Sequence, residues 1–265
     1  MNQQNLDYLK DNIKYLGFGE GLYQALEANV REGKPAFTLQ FNNEFNGTSM
    51  DATLNFRKSD STEVYFLNSY QASLQHTEGQ QVKQTFYLNK GRGVTCKEAF
   101  NLLEGRAVNK DLTNKEGQVY NAWLQLDFKV VEPKGNYQVN QYHHNYGYDL
   151  QKELQKHPLK ELKTEAEKGR LIESLEKGNR QSVTFVKDGA EQKMFMEANP
   201  RFKTLNLYDS KMQRVHSQTQ KETSSKSQQQ QKQEKNEKVE PVDEDASSRG
   251  KLSKKRRAQS QSLNP

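Results

Sequence analysis

Residues 95–128 read TCKEAFNLLEGRAVNKDLTNKEGQVYNAWLQLDF, and this stretch constrains the chain more than any other. Thr95 stands three residues before Glu98. At that spacing the Thr hydroxyl accepts from an amide of the first helical turn while the Glu carboxylate reaches back to the Thr amide. Ala99, Leu102 and Leu103, with Phe100 beside them, give one apolar helix face. Gly105 suits the left-handed residue that ends such a helix. The polar run 114–117 ends in Gly117 and reads as a turn. Beyond it Tyr120, Ala122, Leu124 and Leu126 alternate with Asn121, Trp123, Gln125 and Asp127, the pattern of a half-buried strand. Trp123 falls on the otherwise polar side, so cover is expected on both faces.

The same order recurs on either side. Upstream, a helical segment 22–30 runs to Gly33, a turn falls at Asn46-Gly47, and ATLNF follows. Downstream, LIESLEKG ends at Gly178, a turn falls at Asp188-Gly189, and KMFME follows. The expectation is three divergent helix-plus-hairpin units. They arise either by duplication or from the ordinary recurrences of an α+β chain, and their spacing is too long and irregular for a solenoid. The fold class is therefore α+β: antiparallel sheets with short helices and a disordered C-terminal tail.

Around this stretch the expected elements follow in order. Leu6, Leu9, Ile13 and Leu16 lie at helical spacing. Gly17 to Gly21 (GFGEG) reads as a helix–helix turn, since no strand precedes it and no Lys-Ser or Lys-Thr follows. A β-meander is expected over 36–41, 50–56, 64–67, 70–75 and 82–88. Its clearest mark is Asn46-Gly47 between alternating runs. Residues 90–93 (KGRG) are a connector, or a basic loop presenting an anion to the helix amides. A returning strand spans 137–142, Asp149 caps a helix over 150–156, and a second helix is expected over 159–175. Strands follow at 182–186, 193–196 and 204–208. The expected division is 1–93, a helical hairpin plus sheet; 94–215, two further units; and 216–265, a polar tail.

Charge separates the tail from the body. The formal net charge is +6, yet residues 217–265 hold 11 basic against 7 acidic residues, while the preceding residues hold 29 against 27. The tail is rich in Gln, Ser and Lys, nearly free of apolar residues, and unable to offset its own ordering entropy. Its basic run holds Lys251, Lys254, Lys255, Arg256 and Arg257, candidates for weak, sequence-independent contact with DNA or RNA by counterion release. No stretch approaches the ~20 apolar residues of a membrane span. With no apolar leader and a single cysteine, Cys96, the expected location is cytoplasmic, without membrane contact or disulfides.

Catalytic signatures are weak. Cys96 begins a helix, where the dipole lowers a thiol pKa, but no His or Asp partner stands near it in sequence. His143 and His144 are adjacent and would point to opposite faces of a strand, without a third metal ligand at matching spacing. With Asp149 they are the residues an enzyme would use, but they form no recognisable set. No catalytic residue, metal ligand or cofactor is assigned. Tyr137, Tyr142, Tyr146 and Tyr148, interleaved with Asn, Gln and His, are a candidate interaction surface, or else the amphipathic outer layer of a sheet.

The phrases YLGFGEG, EGRAVNKDLTNKEGQVYNAWLQLDF, SLEKGNRQSVTFVKDG and EANPRFKTLNLYD resemble a family of uncharacterised proteins from Bacteroides-like bacteria. These are carried on conjugative transposons and related mobile elements. Some are longer and contain repeated domains of unknown function, and some relatives occur with topoisomerase-like or mobilisation genes. The resemblance covers roughly residues 6–215. It implies a cytosolic bacterial protein with a mobile-element role and brings no active site with it. The functional expectation is a non-enzymatic accessory protein that binds a protein partner, with nucleic-acid contact through the tail. The alternatives are an adaptor or inhibitor without a nucleic-acid role, and an enzyme of unrecognised type.

Overall fold

The computed structural model describes residues 2–75, 81–89 and 92–215. The expected tail, 216–265, lies outside the described residues. Two helices open the fold. Helix α1 (Gln3–Tyr15) is capped by the Asn2 side chain and buries Leu6, Leu9 and Ile13 at three- and four-residue spacing. Gly17 and Gly19, both at positive φ, turn the chain into α2 (Tyr23–Arg31), which buries Leu26 and Val30.

Strands β1 (Ala36–Phe45), β2 (Thr48–Lys58), β3 (Tyr65–Gln75) and β4 (Gln81–Tyr87) then form an antiparallel sheet in sequence order. Asn46 and Gly47 both take positive φ between the paired residues Phe45 and Thr48, the tight turn whose twist matches the strands. The segments 64–67 and 70–75, expected as separate strands, are one. Asn55 pairs with Ser69 and Phe56 with Leu67, so Asn68 is an extra residue absorbed as a bulge. That insertion shifts the inward alternation from Tyr65 and Leu67 to Tyr70, Ala72 and Leu74.

The central stretch folds as expected. Helix α3 (Cys96–Leu103) carries the full reciprocal cap between Thr95 and Glu98, and Gly105 follows at φ +82°. Strands β5 (Val108–Thr113), β6 (Val119–Val131) and β7 (Tyr137–His143) form the second sheet. Helix α4 (Leu150–Gln155) is capped by Asp149. Helix α5 (Glu165–Glu176) starts later than its apolar spacing predicts. Leu159 is bridged to Phe185, and the Thr164 hydroxyl accepts from the Glu167 amide, placing the helix start there. The third sheet, in order β11-β10-β9-β8, contains β8 (Gln181–Lys187), β9 (Ala190–Asn199), β10 (Thr204–Tyr208) and the unforeseen two-residue β11 (Arg214–Val215). Three successive helix-then-meander segments are thus present, and their helix-ending glycines, Gly33, Gly105 and Gly178, all have positive φ.

Two apolar cores lie on opposite sides of the middle sheet. The first takes the inner faces of β1–β4, helices α1–α3, and Val108, Leu124 and Leu126. The second takes Ala107, Trp123, Tyr148, α4, α5 and the inner face of the third sheet. Neighbouring residues on a strand point to opposite faces, so Val108 and Leu124 enter one core while Ala107 and Trp123 enter the other. This is the two-sided cover that Trp123 required. The first core crosses from residues 1–93 into 94–215, and Met1–Val215 forms one compact unit.

Candidate interaction surface

The four tyrosines from 137 to 148 do not share one exposed face. Tyr137 pairs through its backbone with the buried Gln84 side chain. Its amide donates to Gln84 Oε1 at 2.8 Å, and Gln84 Nε2 donates to its carbonyl at 3.2 Å. That amide side chain stands in for a strand partner and ties β4 to β7. The Tyr137 ring meets Phe128 edge-on at 4.9 Å. Tyr142 lies 4.9 Å from Tyr146 and packs on the second core. Tyr146, 38% exposed, donates to the Arg201 carbonyl and carries Lys203 Nζ 4.7 Å above its ring. Tyr148 corrects the surface expectation: it is buried edge-on against Trp123 at 5.4 Å. Among the described residues its hydroxyl has only a loose contact with the Asn199 backbone, and burial raises its pKa.

Among the described residues an exposed surface does exist, on the outer face of the first sheet. Inward residues of β1–β4 are mostly apolar, Gln84 excepted, so the outward alternation carries most of the polar ones. The centre of this face is uncharged. Gln40 and Thr53 are hydrogen-bonded at 2.8 Å, Asn55 and Ser69 at 3.3 Å, and Gln71 and Thr85 at 3.4 Å. Charges stand toward the margins, at Asp51, Arg57 and Lys83. Phe66 and Tyr87 project from the same face on adjacent strands, 45% and 66% exposed. The alternation of β3 and β4, with Tyr65, Tyr70 and Phe86 inward and Phe66 and Tyr87 outward, carries this signal.

A second polar assembly joins the end of α3 to the third sheet. Asn101, fully buried, donates to the Lys177 carbonyl at 2.6 Å and to Asn179 Oδ1 at 3.0 Å. Arg106 donates to the Gly178 carbonyl at 3.0 Å and to Asn101 Oδ1 at 2.7 Å, and burial lowers its pKa. Across the outer face of the third sheet, Glu197 accepts from Arg180 Nε at 3.0 Å, Asn206 Nδ2 at 2.9 Å and the Tyr208 hydroxyl at 2.7 Å. Burial first, then the Glu197 carboxylate, pushes the Tyr208 hydroxyl up to about 12. Both Glu197 oxygens are engaged within the third segment, while the Asn101 and Arg106 bonds to residues 177–179 tie the end of α3 to the end of α5.

The candidate enzyme residues sit in unrelated surroundings. Cys96 is 1% exposed within the first core, and burial pushes its thiol up to about 12, opposite to the lowering expected from the helix start. His143 ends β7 beside Tyr120, at 5.4 Å. His144 opens a short 3-10 turn and so is not on the strand. Asp149 caps α4, and the Lys152 amide holds its carboxyl below the usual range. Among the described residues no group of three His, Cys, Asp or Glu is placed to hold a metal. One shallow cavity, about 240 Å³, is lined by Glu161, Glu167, Arg170, Leu171, Gln181 and Ser182.

The anion reading of residues 90–93 falls partly on Lys90 and Gly91, which lie outside the described residues. The helix start beside them is already occupied: the amides of Thr95, Cys96 and Glu98 donate to Glu98 Oε2, the Leu16 carbonyl and Thr95 Oγ1. Lys251, Lys254, Lys255, Arg256 and Arg257 also lie outside the described residues. No helix among the described residues is long and apolar enough to cross a membrane. No family model, curated protein or solved structure matches the chain.

Proposed function

We propose that this chain is a non-enzymatic accessory protein of a bacterial mobile element that works by binding another protein. In this reading Lys251, Lys254, Lys255, Arg256 and Arg257 add weak, sequence-independent contact with nucleic acid. The mobile-element setting rests on the resemblance of residues 6–215. The binding role is supported by one observation, the outer face of the first sheet. Its centre holds neutral amides and hydroxyls, and Phe66 and Tyr87 stand exposed toward one end of the same face, in a chain that is 28% charged. Protein interfaces are depleted in charge at their centres and enriched in aromatics. Neutral polar groups also cost less to desolvate than ions.

Two experiments test the two halves. Quantitative affinity capture compares the full chain with a Phe66→Ser, Tyr87→Ser double variant. Partners that bind the sheet face are lost with the variant, and an unchanged partner set overturns the role given to this face. Fluorescence anisotropy with single- and double-stranded DNA at two salt concentrations compares the full chain with one ending at Val215. Salt-sensitive binding lost with the tail supports the nucleic-acid half. Absence of binding by both leaves a protein-binding adaptor.

A further inference from the structure

The outer edge of β1 is the longest sheet edge that the described residues leave open. The Lys58 amide donates to the Pro35 carbonyl at 2.9 Å, and Ala36 is paired with Arg57 in register. Antiparallel pairs alternate between bonded and non-bonded, so the odd-numbered residues of β1 bond to β2. The backbone N–H and C=O groups of Ala36, Thr38, Gln40, Asn42 and Glu44 therefore point away from the sheet. No described residue donates to or accepts from them.

The other edges of the four-stranded sheets are partly closed or short. On β4 the Thr85 amide donates to Asn136 Oδ1, beside the Gln84–Tyr137 pair. On β8 the Thr184 amide donates to Glu161 Oε1 and the Val186 amide to the Pro158 carbonyl. The edge strand β11 has two residues. Strand β1 has ten residues, no internal proline, and unbroken pairing with β2. It has no bulge against β2, and Glu44 is its single charged side chain.

We infer that β1 pairs antiparallel with β1 of a second copy of this chain, about a two-fold axis at Gln40. A register centred there sets Ala36 against Glu44 of the second copy, Thr38 against Asn42, and Gln40 against Gln40. Every outward-pointing backbone group then meets another outward-pointing group. No like charges face each other across the pair. On the inner side Leu39 faces Phe41 of the second copy, extending cover over the half-buried Phe41. The two four-stranded sheets become one continuous sheet. The inference stands apart from the partner-binding reading of the sheet face.

Sedimentation velocity of the full chain across a concentration series tests it, with Gln40→Lys and Gln40→Glu variants run alone and mixed. The wild type is expected to dimerise. Each variant alone places like charges against each other at the axis, and its dimer should be about two- to fivefold weaker. Mixing the two variants restores the dimer, a rescue that a folding defect would not give. A wild type that stays monomeric throughout, or a dimer indifferent to both substitutions, overturns the inference. Capture of an extended peptide by a monomeric wild type also overturns it and gives the edge to another protein.

Discussion

Replacing each of the three helix-ending glycines with alanine separates backbone strain from packing. Gly33, Gly105 and Gly178 sit at φ +71°, +82° and +78°, so the conformational cost is nearly equal, about 1–2 kcal/mol. Their surroundings differ. A Cβ at Gly33 meets nothing within 4 Å, and one at Gly105 meets only Phe128 Cε2 at 3.4 Å. One at Gly178 meets the Ala107 carbonyl oxygen at 2.8 Å, Val108 Cγ2 at 2.9 Å and Asn101 Cβ at 3.1 Å. One of those atoms belongs to β5, one to the residue that leads into it, and the third to a fully buried side chain. The neighbours cannot yield independently, and overpacking of this kind costs roughly 1–3 kcal/mol more. Gly178→Ala should therefore lose about 2–5 kcal/mol, against about 1–2 for Gly33→Ala. Urea denaturation monitored by Trp123 fluorescence reads the difference. With a slope of about 1–3 kcal/mol/M, the midpoint of Gly178→Ala should fall roughly 1 M below that of Gly33→Ala. Equal midpoints for the two variants would refute the argument that the α5 terminus is pressed against β5.

Three further outcomes follow from the buried polar and titratable groups. Glu197→Ala leaves Arg180, Asn206 and Tyr208 without their shared acceptor and should cost about 3 kcal/mol, seen as a lower urea midpoint; a cost under about 1 kcal/mol would mean water replaces the carboxylate freely. Cys96 should resist thiol reagents in the native protein and react at a rate set by unfolding, so labelling much faster than hydrogen exchange of the α3 amides would contradict its burial. Burial lowers the His157 pKa, so the unfolded chain binds the extra proton first. The stability this group contributes is complete above the unfolded value near 6.5 and is lost as pH falls through its lowered folded value. A His157→Phe variant should show a shallower loss of stability below about pH 6.5, and identical pH profiles would remove His157 from the account.

Local features of the fold were legible because they depend on neighbours in sequence. The Thr95–Glu98 cap, the Asn46-Gly47 turn and the Gly105 stop each act within a few residues, and each appears where the spacing placed it. Helix α5 was misread by its start because Leu159 answers to Phe185, 26 residues away in the chain, and not to the helix that follows. Strand β3 looked like two strands because one bulged residue, Asn68, breaks the alternation that a sequence reader counts. The tyrosine run misled for a similar reason. Tyr142, Tyr146 and Tyr148 are close in sequence, but the turn at Gly147 carries Tyr148 into the second core while Tyr146 stays at the surface.

By itself the sequence determined an α+β chain, three helix-then-meander segments, their caps and turns, and a need for cover on both sides of Trp123. Periodicity and capping are local, and local free energies survive whatever the rest of the chain does. Tertiary structure decided which sheet faces meet, where Asn101, Arg106 and Gly178 lock two segments together, and which edges are closed. It turned Cys96 from a helix-start thiol into a core residue. Among the described residues it also leaves the β1 edge and the outer face of the first sheet uncovered. Those outcomes depend on contacts between residues far apart in the chain, and no spacing along the sequence encodes them.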